Sequence, residues 1–252
     1  MSWEKSSNDN RTAILYMDHV HNPSSVKDIS GSLDEILDDG GIRCVVLSSK
    51  HAKNWCIGLD IPWIMQQYKD KNREAMKEFF VGGTKAIFLR LLEIPLVTIA
   101  AINGHTYGNG VMVALHCDLR FMRSDRGYFY LPEAEMGFSE DVFTPSGIRL
   151  MDVRYDSFIR EVMIPTAKKI TAAELLDKKI IDHASTDREA VLSDALARAV
   201  EISSSEDIYC KILENRKIWS GPVIDAIKNE DEAAFDNIIE MFWNLMVKMG
   251  VA

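Results

Sequence analysis

The sequence lacks the features that mark a membrane-spanning or secreted protein. No segment of its 252 residues approaches the ~20 consecutive apolar residues of a membrane-spanning helix. The polar start, MSWEKSSNDN, contains no apolar signal-peptide segment, and the C-terminus is not a peroxisomal address of the S-K-L type. We therefore expect no membrane partner and a cytoplasmic location.

Cysteine and positive charge are also scarce. The four cysteines are widely spaced and include no CxxC pair: Cys44, Cys56, Cys117 and Cys210. Without such spacing we expect buried thiols and no structural metal. The formal net charge of −9 argues against nucleic acid as a partner, although it permits a local basic patch for a phosphorylated ligand.

Strand-like and helix-like segments alternate along most of the chain. Apolar runs of strand length are predicted at three places, residues 11–21, 43–49 and 96–102. A helical region is predicted at 63–92, interrupted at 82–83 by two glycines. Such alternation is typical of an α/β fold, and we assign residues 11–200 to one α/β core. Residues 1–10 are polar and are predicted to form a tail.

The C-terminal part of the sequence is mostly helical in pattern. Helices are predicted at residues 145–153, 155–163, 171–178, 187–204, 206–217 and 221–247. Pro145, Pro165 and Pro222 lie at positions typical of helix starts. We assign residues 201–252 to a C-terminal helical region. It is expected either to pack on its own core or to cover a site of its own chain or of a neighbouring subunit.

Residues 94–137 contain the groups that best indicate a reaction site. The apolar run at 96–102 leads into a turn rich in Gly and Asn, NGHTYGNG, and then into a predicted helix at 109–116. A buried strand followed by such a turn and a helix start directs backbone N–H groups toward a negative charge. Glu133 follows Pro132 in the same stretch. An oxyanion-stabilising turn and a candidate acid/base carboxylate therefore occur together.

Three short motifs follow one another along the chain. They are WCIGLD at 55–60, IAAINGHTYGNGVMVALHCD at 99–118 with PEAEMG at 132–137, and KITAAE at 169–174 with IID at 180–182. In this order and spacing they resemble the enoyl-CoA hydratase/isomerase, or crotonase, superfamily, most closely its enoyl-CoA isomerases. The resemblance covers residues 11–200. It implies a crotonase-like spiral of ββα units with a C-terminal helical region, assembled as a homotrimer or hexamer.

The resemblance also implies an acyl-CoA thioester as substrate. The backbone N–H groups of Leu59 and Asn109 are expected to stabilise the enolate oxygen, and Asn109 replaces a Gly of the family pattern. Asn tolerates left-handed backbone better than other non-Gly residues. The residues expected to contact CoA are Lys50, Lys53, Gly58, Asp60 and Gly108, with His51 in the same basic loop. A solvated loop is the alternative for the basic residues. CoA belongs to the substrate, so no separate cofactor is expected.

The carboxylates present decide which reaction is favoured. Hydratases of this family use two Glu residues, but the first position here is Met112, which has no proton to exchange. Glu133 occupies the second position, and one carboxylate suffices to take a proton from one carbon and return it to another. The favoured reaction is the shift of a double bond from Δ3 to Δ2 in an enoyl-CoA. An apolar site would raise the pKa of Glu133, which suits a shuttle.

Other reactions of the superfamily stay open. Asp141 lies eight residues after Glu133, the separation found in the dienoyl-CoA isomerases, although those enzymes also carry an Asp at the position of Met112. Asp141 is therefore a second candidate catalytic residue, and capping of a helix near Pro145 or solvation is its alternative. A lyase or hydrolase reaction, or an inactive acyl-CoA binder, is also compatible with the departures at Met112 and Asn109.

Overall fold

Two β-sheets organise the residues that the computed structural model describes, which are 2–138, 143–155, 157–230, 232–248 and 250. The strands are β1 Ser2–Lys5, β2 Thr12–Tyr16, β3 Cys44–Ser48, β4 Asn54–Cys56, β5 Val97–Ile102, β6 His105–Tyr107, β7 Leu119–Arg123, β8 Phe129–Tyr130 and β9 His183–Ser185. The larger sheet has the order β1-β2-β3-β5-β7-β9, and only β1 and β2 in it are antiparallel. The smaller sheet pairs β4, β6 and β8 in parallel.

Helices cover the sheets and form the C-terminal part of the chain. They are α1 Pro23–Asp38, α2 Ile61–Lys69, α3 Arg73–Glu78, α4 Ala86–Glu93, α5 Asn109–His116, α6 Pro145–Arg154, α7 Ile164–Thr166, α8 Ala172–Asp177, α9 Arg188–Ser204, α10 Glu206–Asn229 and α11 Glu232–Lys248. Two π-helical turns span Phe79–Lys85 and Ile159–Met163. Within the described ranges, none of the helices combines the length and the apolar character needed to cross a bilayer.

The central strands of the larger sheet are buried on both faces. Every residue of β3 and β5 is buried, and neither strand alternates apolar with polar side chains. This is the pattern of parallel strands that are covered by helices on each side. Val46 and Ile99 pack with α9, whereas Leu47 and Ala100 face the core that includes Leu33 of α1. Successive side chains of one strand therefore contribute to two separate cores.

Each central strand continues into a strand of the smaller sheet. β3 is followed by β4 and then α2, and β5 is followed by β6 and then α5. β7 likewise leads into β8. This repeat is the ββα unit that the resemblance to the crotonase superfamily implies. Because β4 pairs in parallel with β6, the segment after β4 and the start of α5 after β6 lie side by side.

Residues 1–10, predicted as a polar tail, contain strand β1, so that prediction is wrong. β1 pairs antiparallel with β2 and extends the edge of the larger sheet. Trp3 also donates a hydrogen bond from Nε1 to Glu35 Oε2 of α1 at 2.8 Å. The four residues SWEK carry one large apolar side chain, too few to show a strand period.

The helical region predicted at 63–92 is divided into several pieces. It begins at Ile61, where Asp60 caps α2 by accepting a hydrogen bond from the Trp63 N–H at 3.0 Å. A π-helical turn separates α3 from α4 and includes the glycine pair at 82–83. A Cβ atom on Gly83 would come within 3.1 Å of Val26 Cγ1, so a small residue lets this turn pack on α1.

Pro222 does not start a helix, which corrects the prediction of separate helices at 206–217 and 221–247. It lies inside α10, which runs unbroken to Asn229. A proline inside a helix costs about 3 kcal/mol. Here the same helix buries Ser220, Val223 and Ile227, and its packing offsets that cost.

The C-terminal helices pack on their own chain. Arg216 of α10 forms a buried ion pair with Asp118, with 2.9 Å between Nη1 and Oδ2. Phe235 and Phe242 of α11 join Ile64 and Phe80 in a third apolar cluster. Helix α11 packs on the same chain beside α2 and the first π-helical turn, and its Phe235, Ile238 and Phe242 also line the pocket described below, so two of the alternatives left by the sequence are observed together.

All four cysteines are free thiols. Cys44, Cys56 and Cys117 are buried, as predicted. Cys210 is partly exposed on α10, which corrects the prediction for that residue. Its Sγ donates to Glu206 Oε1 one helical turn away, at 3.4 Å.

Candidate active site

The two predicted oxyanion segments meet in the structure. Gly58 has a φ of +87°, and a Cβ atom there would lie 2.9 Å from the Tyr107 carbonyl oxygen and 3.0 Å from the Asn109 nitrogen. Only glycine combines this backbone conformation with such a close approach. The turn after β4 therefore contacts the start of α5, and the peptides of Leu59 and Asn109 are brought together.

Both predicted donor N–H groups are oriented away from other backbone. His21 N–H donates to the Gly58 carbonyl at 2.7 Å, and the Asp60 N–H donates to the His21 carbonyl at 2.8 Å. In this parallel bridge the N–H of the central residue, Leu59, points to the opposite side. Asn109 is the first residue of α5, where an N–H has no partner within the helix and the helix dipole is positive.

A pocket lies against these two segments. Its walls include Gly58, Leu59, Gly108, Asn109 and Glu133, so five of the predicted site residues share one cavity. The cavity volume is about 180 Å³, many times the ~10–15 Å³ that one water needs. The rest of the wall is largely apolar and includes Ile61, Phe80, Phe88, Met136, Phe143, Phe235, Ile238 and Phe242. The arrangement suits an apolar group whose polar end faces the Leu59 and Asn109 peptides.

Glu133 presents an unpartnered carboxylate oxygen at this pocket. Its Oε2 is buried and has no hydrogen-bond partner, and burial raises the pKa of Glu133 from 4.5 to about 7. A carboxyl group with this pKa exists in both protonation states near neutral pH, so it can both accept and deliver a proton. The structure therefore gives Glu133 the environment that the sequence predicts.

Met112 lies in the same pocket, one turn into α5. Its side chain is 5% exposed, and its Cε would be 3.2 Å from a Cβ atom on Gly147 of α6. A thioether is therefore packed at the position from which the family pattern would present a second carboxylate.

His21 is a site residue that sequence reasoning missed. It is fully buried, and its Nδ1 lies 2.8 Å from Asn109 Nδ2. Its Nε2 lies 3.4 Å from Cys56 Sγ. Burial lowers the pKa of His21 to about 4, so the ring is neutral at pH 7 and accepts the Asn109 N–H at Nδ1. The contact joins residues 88 positions apart, and no local pattern reports such a pairing.

The residues predicted to contact CoA fall into two groups. Gly58 and Gly108 line the pocket, whereas Lys50, Lys53 and Asp60 lie outside its wall. Asp60 is held by its capping role and by the Asn22 amide, which donates to Oδ2 at 3.1 Å. The part of these three residues in CoA binding stays a prediction.

Lys50 and Lys53 are exposed, and the Lys50 ammonium lies over the Tyr16 ring, 4.4 Å from its centroid. His51, in the same loop, stacks on His19 with 3.9 Å between ring centroids. Asp141 lies outside the described residues. In the part of the chain that is described, no three His, Cys, Asp or Glu side chains form a group able to hold a metal.

The ββα units bring a loop peptide, at Leu59, and a helix-start peptide, at Asn109, into one pocket with the buried Oε2 of Glu133. This arrangement defines a crotonase-type acyl-CoA enzyme fold. The family model for Enoyl-CoA hydratase/isomerase matches residues 21–234. The chain therefore belongs to that family, which processes acyl-CoA thioesters, and the resemblance and fold class inferred from the sequence are confirmed.

Relatives with isomerase names and relatives with hydratase names, such as a short-chain-enoyl-CoA hydratase of Clostridium acetobutylicum, both match the chain. The chain is 26% identical over 211 residues to enoyl-CoA delta isomerase 2, peroxisomal, of Arabidopsis thaliana, covering 84% of this chain and 82% of the relative. It is 28% identical over 218 residues to the mitochondrial Delta(3,5)-Delta(2,4)-dienoyl-CoA isomerase of Mus musculus, covering 84% of this chain and 63% of the relative. The crystal structure of human mitochondrial delta3-delta2-enoyl-CoA isomerase superposes with a TM-score of 0.80 at 19% identity, over 95% of this chain and 93% of that one.

Proposed function

We propose that the protein shifts a carbon–carbon double bond in an enoyl-CoA from Δ3 to Δ2. The observation that carries this proposal is the buried, unpartnered Oε2 of Glu133 in the same pocket as the Leu59 and Asn109 peptides. The isomerase names of the Arabidopsis and mouse relatives support the reaction class.

The proposed reaction needs one carboxylate and two N–H donors. The thioester oxygen binds the N–H groups of Leu59 and Asn109, and ionised Glu133 removes a proton from C2 of the 3-enoyl group. The C2–H electron pair forms a C1=C2 bond, and the displaced C1=O π pair places the negative charge of the dienolate on the thioester oxygen. When that pair returns to restore C1=O, the C1=C2 pair forms C2=C3 and the C3=C4 pair is available for protonation at C4. Glu133 then delivers its proton to C4, leaving the 2-enoyl-CoA. Preorganised N–H donors of this type are worth about 10²–10³ in rate each.

Met112 argues against hydration as the main reaction. Adding water to a 2-enoyl-CoA requires one group to activate the water and another to protonate the carbon. Met112 packs against α6 in the pocket and offers neither function. A single Glu shuttle fits this pocket better than a two-carboxylate mechanism.

A dienoyl-CoA isomerase is the second candidate, supported by the mouse relative. Moving a proton farther along a conjugated chain calls for a second carboxylate, and Asp141 is the residue proposed for that role. Asp141→Asn tests it: turnover of a 3,5-dienoyl-CoA should fall while that of a 3-enoyl-CoA is retained. Equal turnover of both substrates in this variant would remove Asp141 from the mechanism.

Incubation with a 3-enoyl-CoA in deuterated buffer tests the main proposal. We expect conjugated 2-enoyl-CoA by NMR, with deuterium in the product by mass spectrometry. Glu133→Gln should abolish turnover and retain binding of a saturated acyl-CoA. Glu135→Gln is the matched control, because Glu135 is exposed and accepts a hydrogen bond from the Tyr130 hydroxyl.

The other outcomes are equally specific. Retained proton exchange in Glu133→Gln would exclude Glu133 as the shuttle. Deuterium uptake without double-bond migration would indicate another reaction of the family. Binding of acyl-CoA with neither uptake nor migration would identify an inactive acyl-CoA-binding protein.

A further inference from the structure

His21 contacts both halves of the candidate oxyanion hole. Its backbone exchanges hydrogen bonds with the segment around Leu59, through Gly58 at 2.7 Å and Asp60 at 2.8 Å. Its ring accepts the Asn109 amide at 2.8 Å. One residue therefore holds both the backbone segment that contains Leu59, the first donor, and the side chain of Asn109, the second.

The ring of His21 is itself held on its other side. Nε2 lies 3.4 Å from Sγ of Cys56, a residue of β4 that precedes the Leu59 segment. Burial raises the pKa of the Cys56 thiol to about 12, so the sulfur is a neutral thiol and accepts the Nε2–H. With Nδ1 accepting and Nε2 donating, the imidazole has both nitrogens paired and one fixed orientation.

The side chain of Asn109 makes a contact that the Gly of the family pattern would lack. It occupies the first position of α5, directly after Gly108, whose φ is +49°. The first residues of a helix fray readily, because only some of their backbone groups are bonded within the helix. The hydrogen bond from the Asn109 side chain to a buried ring restrains this residue, which lines the pocket.

We propose that His21 is a positioning residue for the oxyanion hole. It aligns the Asn109 N–H with the Leu59 N–H by accepting a hydrogen bond from the Asn109 side chain. This inference rests on the proposed use of those two N–H groups to polarise a thioester. His21 itself does not line the pocket, so it acts through Asn109.

The groups packed around His21 make the neutral ring the working form. Cys56 of β4 and Asn109 of α5 face its two nitrogens, and both are uncharged. The N–H of Asp60 binds the His21 carbonyl, but its carboxylate accepts hydrogen bonds from the Asn22 amide and from the Trp63 N–H at the start of α2. Protonation of Nδ1 would remove the acceptor for Asn109. The alignment of the Asn109 N–H should therefore persist down to about pH 4, the pKa of the buried ring.

A double-mutant cycle separates this role from general packing. His21→Leu keeps the backbone hydrogen bonds and removes the ring acceptor. We expect kcat for a 3-enoyl-CoA to fall about 10- to 100-fold, with less than about a twofold change in the Kd of a saturated acyl-CoA. In an Asn109→Gly background the side-chain donor to His21 is absent, so His21→Leu should change kcat by less than about twofold. His21→Asn, which keeps an acceptor, should recover part of the loss.

The infrared frequency of the thioester carbonyl in bound saturated acyl-CoA gives a readout that does not need turnover. A downshift in the native protein that is reduced in His21→Leu and restored in His21→Asn supports the inference. Equal losses of kcat in both backgrounds, or an unchanged carbonyl frequency in His21→Leu, would overturn it. If His21→Leu does not fold, Asn109→Ala breaks the same contact from the other side and must reduce the downshift for the inference to stand.

The proposed function fails separately. A native protein that polarises the carbonyl but moves no double bond would refute the isomerase proposal and leave the role of His21 intact. A native protein that binds acyl-CoA with no carbonyl downshift would refute the oxyanion hole and, with it, this inference.

Discussion

Glu133 lies directly beside Gly108: a Cβ atom at position 108 would come to 3.3 Å from the Glu133 Oε1. The next residue in the chain is Asn109, whose N–H is the proposed second oxyanion donor. The proposed base and one proposed donor are therefore adjacent to the same peptide. That peptide adopts a φ of +49° at Gly108, which L residues rarely adopt.

Gly108→Ala should therefore damage activity and stability together. Gly108 has φ +49° and ψ −120°, a sparsely populated conformation that costs a non-Gly residue about 1–3 kcal/mol, and relief of that strain would shift the Asn109 N–H. We expect kcat to fall at least about 10-fold with a lower melting temperature. Gly31→Ala is the control, since Gly31 lies in α1 with nothing within 4 Å of a Cβ atom, and it should stabilise by about 0.5–1 kcal/mol. A Gly108→Ala variant with native kcat would show that this peptide need not be fixed.

The pH dependence of kcat/KM should report Glu133. The base must be ionised before it takes the C2 proton, and burial raises the pKa of Glu133 to about 7. We expect kcat/KM to rise with pH and to level off above about pH 7, because that parameter reflects the free enzyme. A profile already level at pH 5.5 would contradict this assignment. The measurement uses a 3-enoyl-CoA at low concentration between pH 5 and pH 9.

The same carboxyl should make stability depend on pH. The folded-state pKa of about 7 lies above the ordinary 4.5, so the contribution of Glu133 to stability is full below pH 4.5 and is lost as pH rises through 7. The difference corresponds to at most about 3–4 kcal/mol, at about 1.4 kcal/mol per pKa unit. Glu133→Gln should raise the free energy of unfolding at pH 8 relative to its effect at pH 4.5. Equal effects of Glu133→Gln on the free energy of unfolding at both pH values would contradict a raised pKa of Glu133.

Much of this fold could be predicted from local pattern. The continuous apolar runs of β3 and β5 are visible in the sequence, as is the turn before α5. The smaller sheet was not, because its strands have two or three residues each, too few to display a period. Its existence follows from tertiary pairing, and it is this sheet that brings Gly58 against Asn109.

Sequence motifs predict the part of the candidate site whose residues belong to them. Glu133, Leu59 and Asn109 belong to motifs whose order carries the information, and the pocket brings all three together. His21 belongs to no motif, and its contact with Asn109 exists only after β4, β6 and α5 have assembled. The asparagine at position 109, where the family pattern has glycine, indicates a side-chain contact at this point of the site. The sequence does not indicate that the partner is His21.

Thr84 provides a test of an unpaired group in the pocket wall. Its hydroxyl is buried and has no hydrogen-bond partner, and the residue lines the pocket. Removing such a group is nearly neutral or stabilising, so Thr84→Val should change the free energy of unfolding by between 0 and about +1 kcal/mol. Thr98→Val is the matched control. Thr98 Oγ1 donates to Asp118 Oδ2 at 3.0 Å and accepts the Asp118 N–H at 2.9 Å, and its loss should cost about 1–3 kcal/mol. Chemical denaturation of both variants distinguishes them, and equal costs would show that Thr84 is paired.

Met112→Glu tests whether the missing carboxylate determines the reaction. Met112 lines the pocket in α5 and is 5% exposed, so the new side chain would face the same cavity as Glu133. A second acid/base group should confer measurable hydration of a 2-enoyl-CoA, followed by loss of the conjugated enoyl absorbance. Burial of the carboxyl should also raise its pKa and lower stability by about 1–3 kcal/mol. Met112→Gln, which has the same length and no exchangeable acid proton, should gain no hydration. If both variants hydrate equally, or if neither does while Met112→Glu remains folded, the identity of residue 112 does not select between isomerisation and hydration.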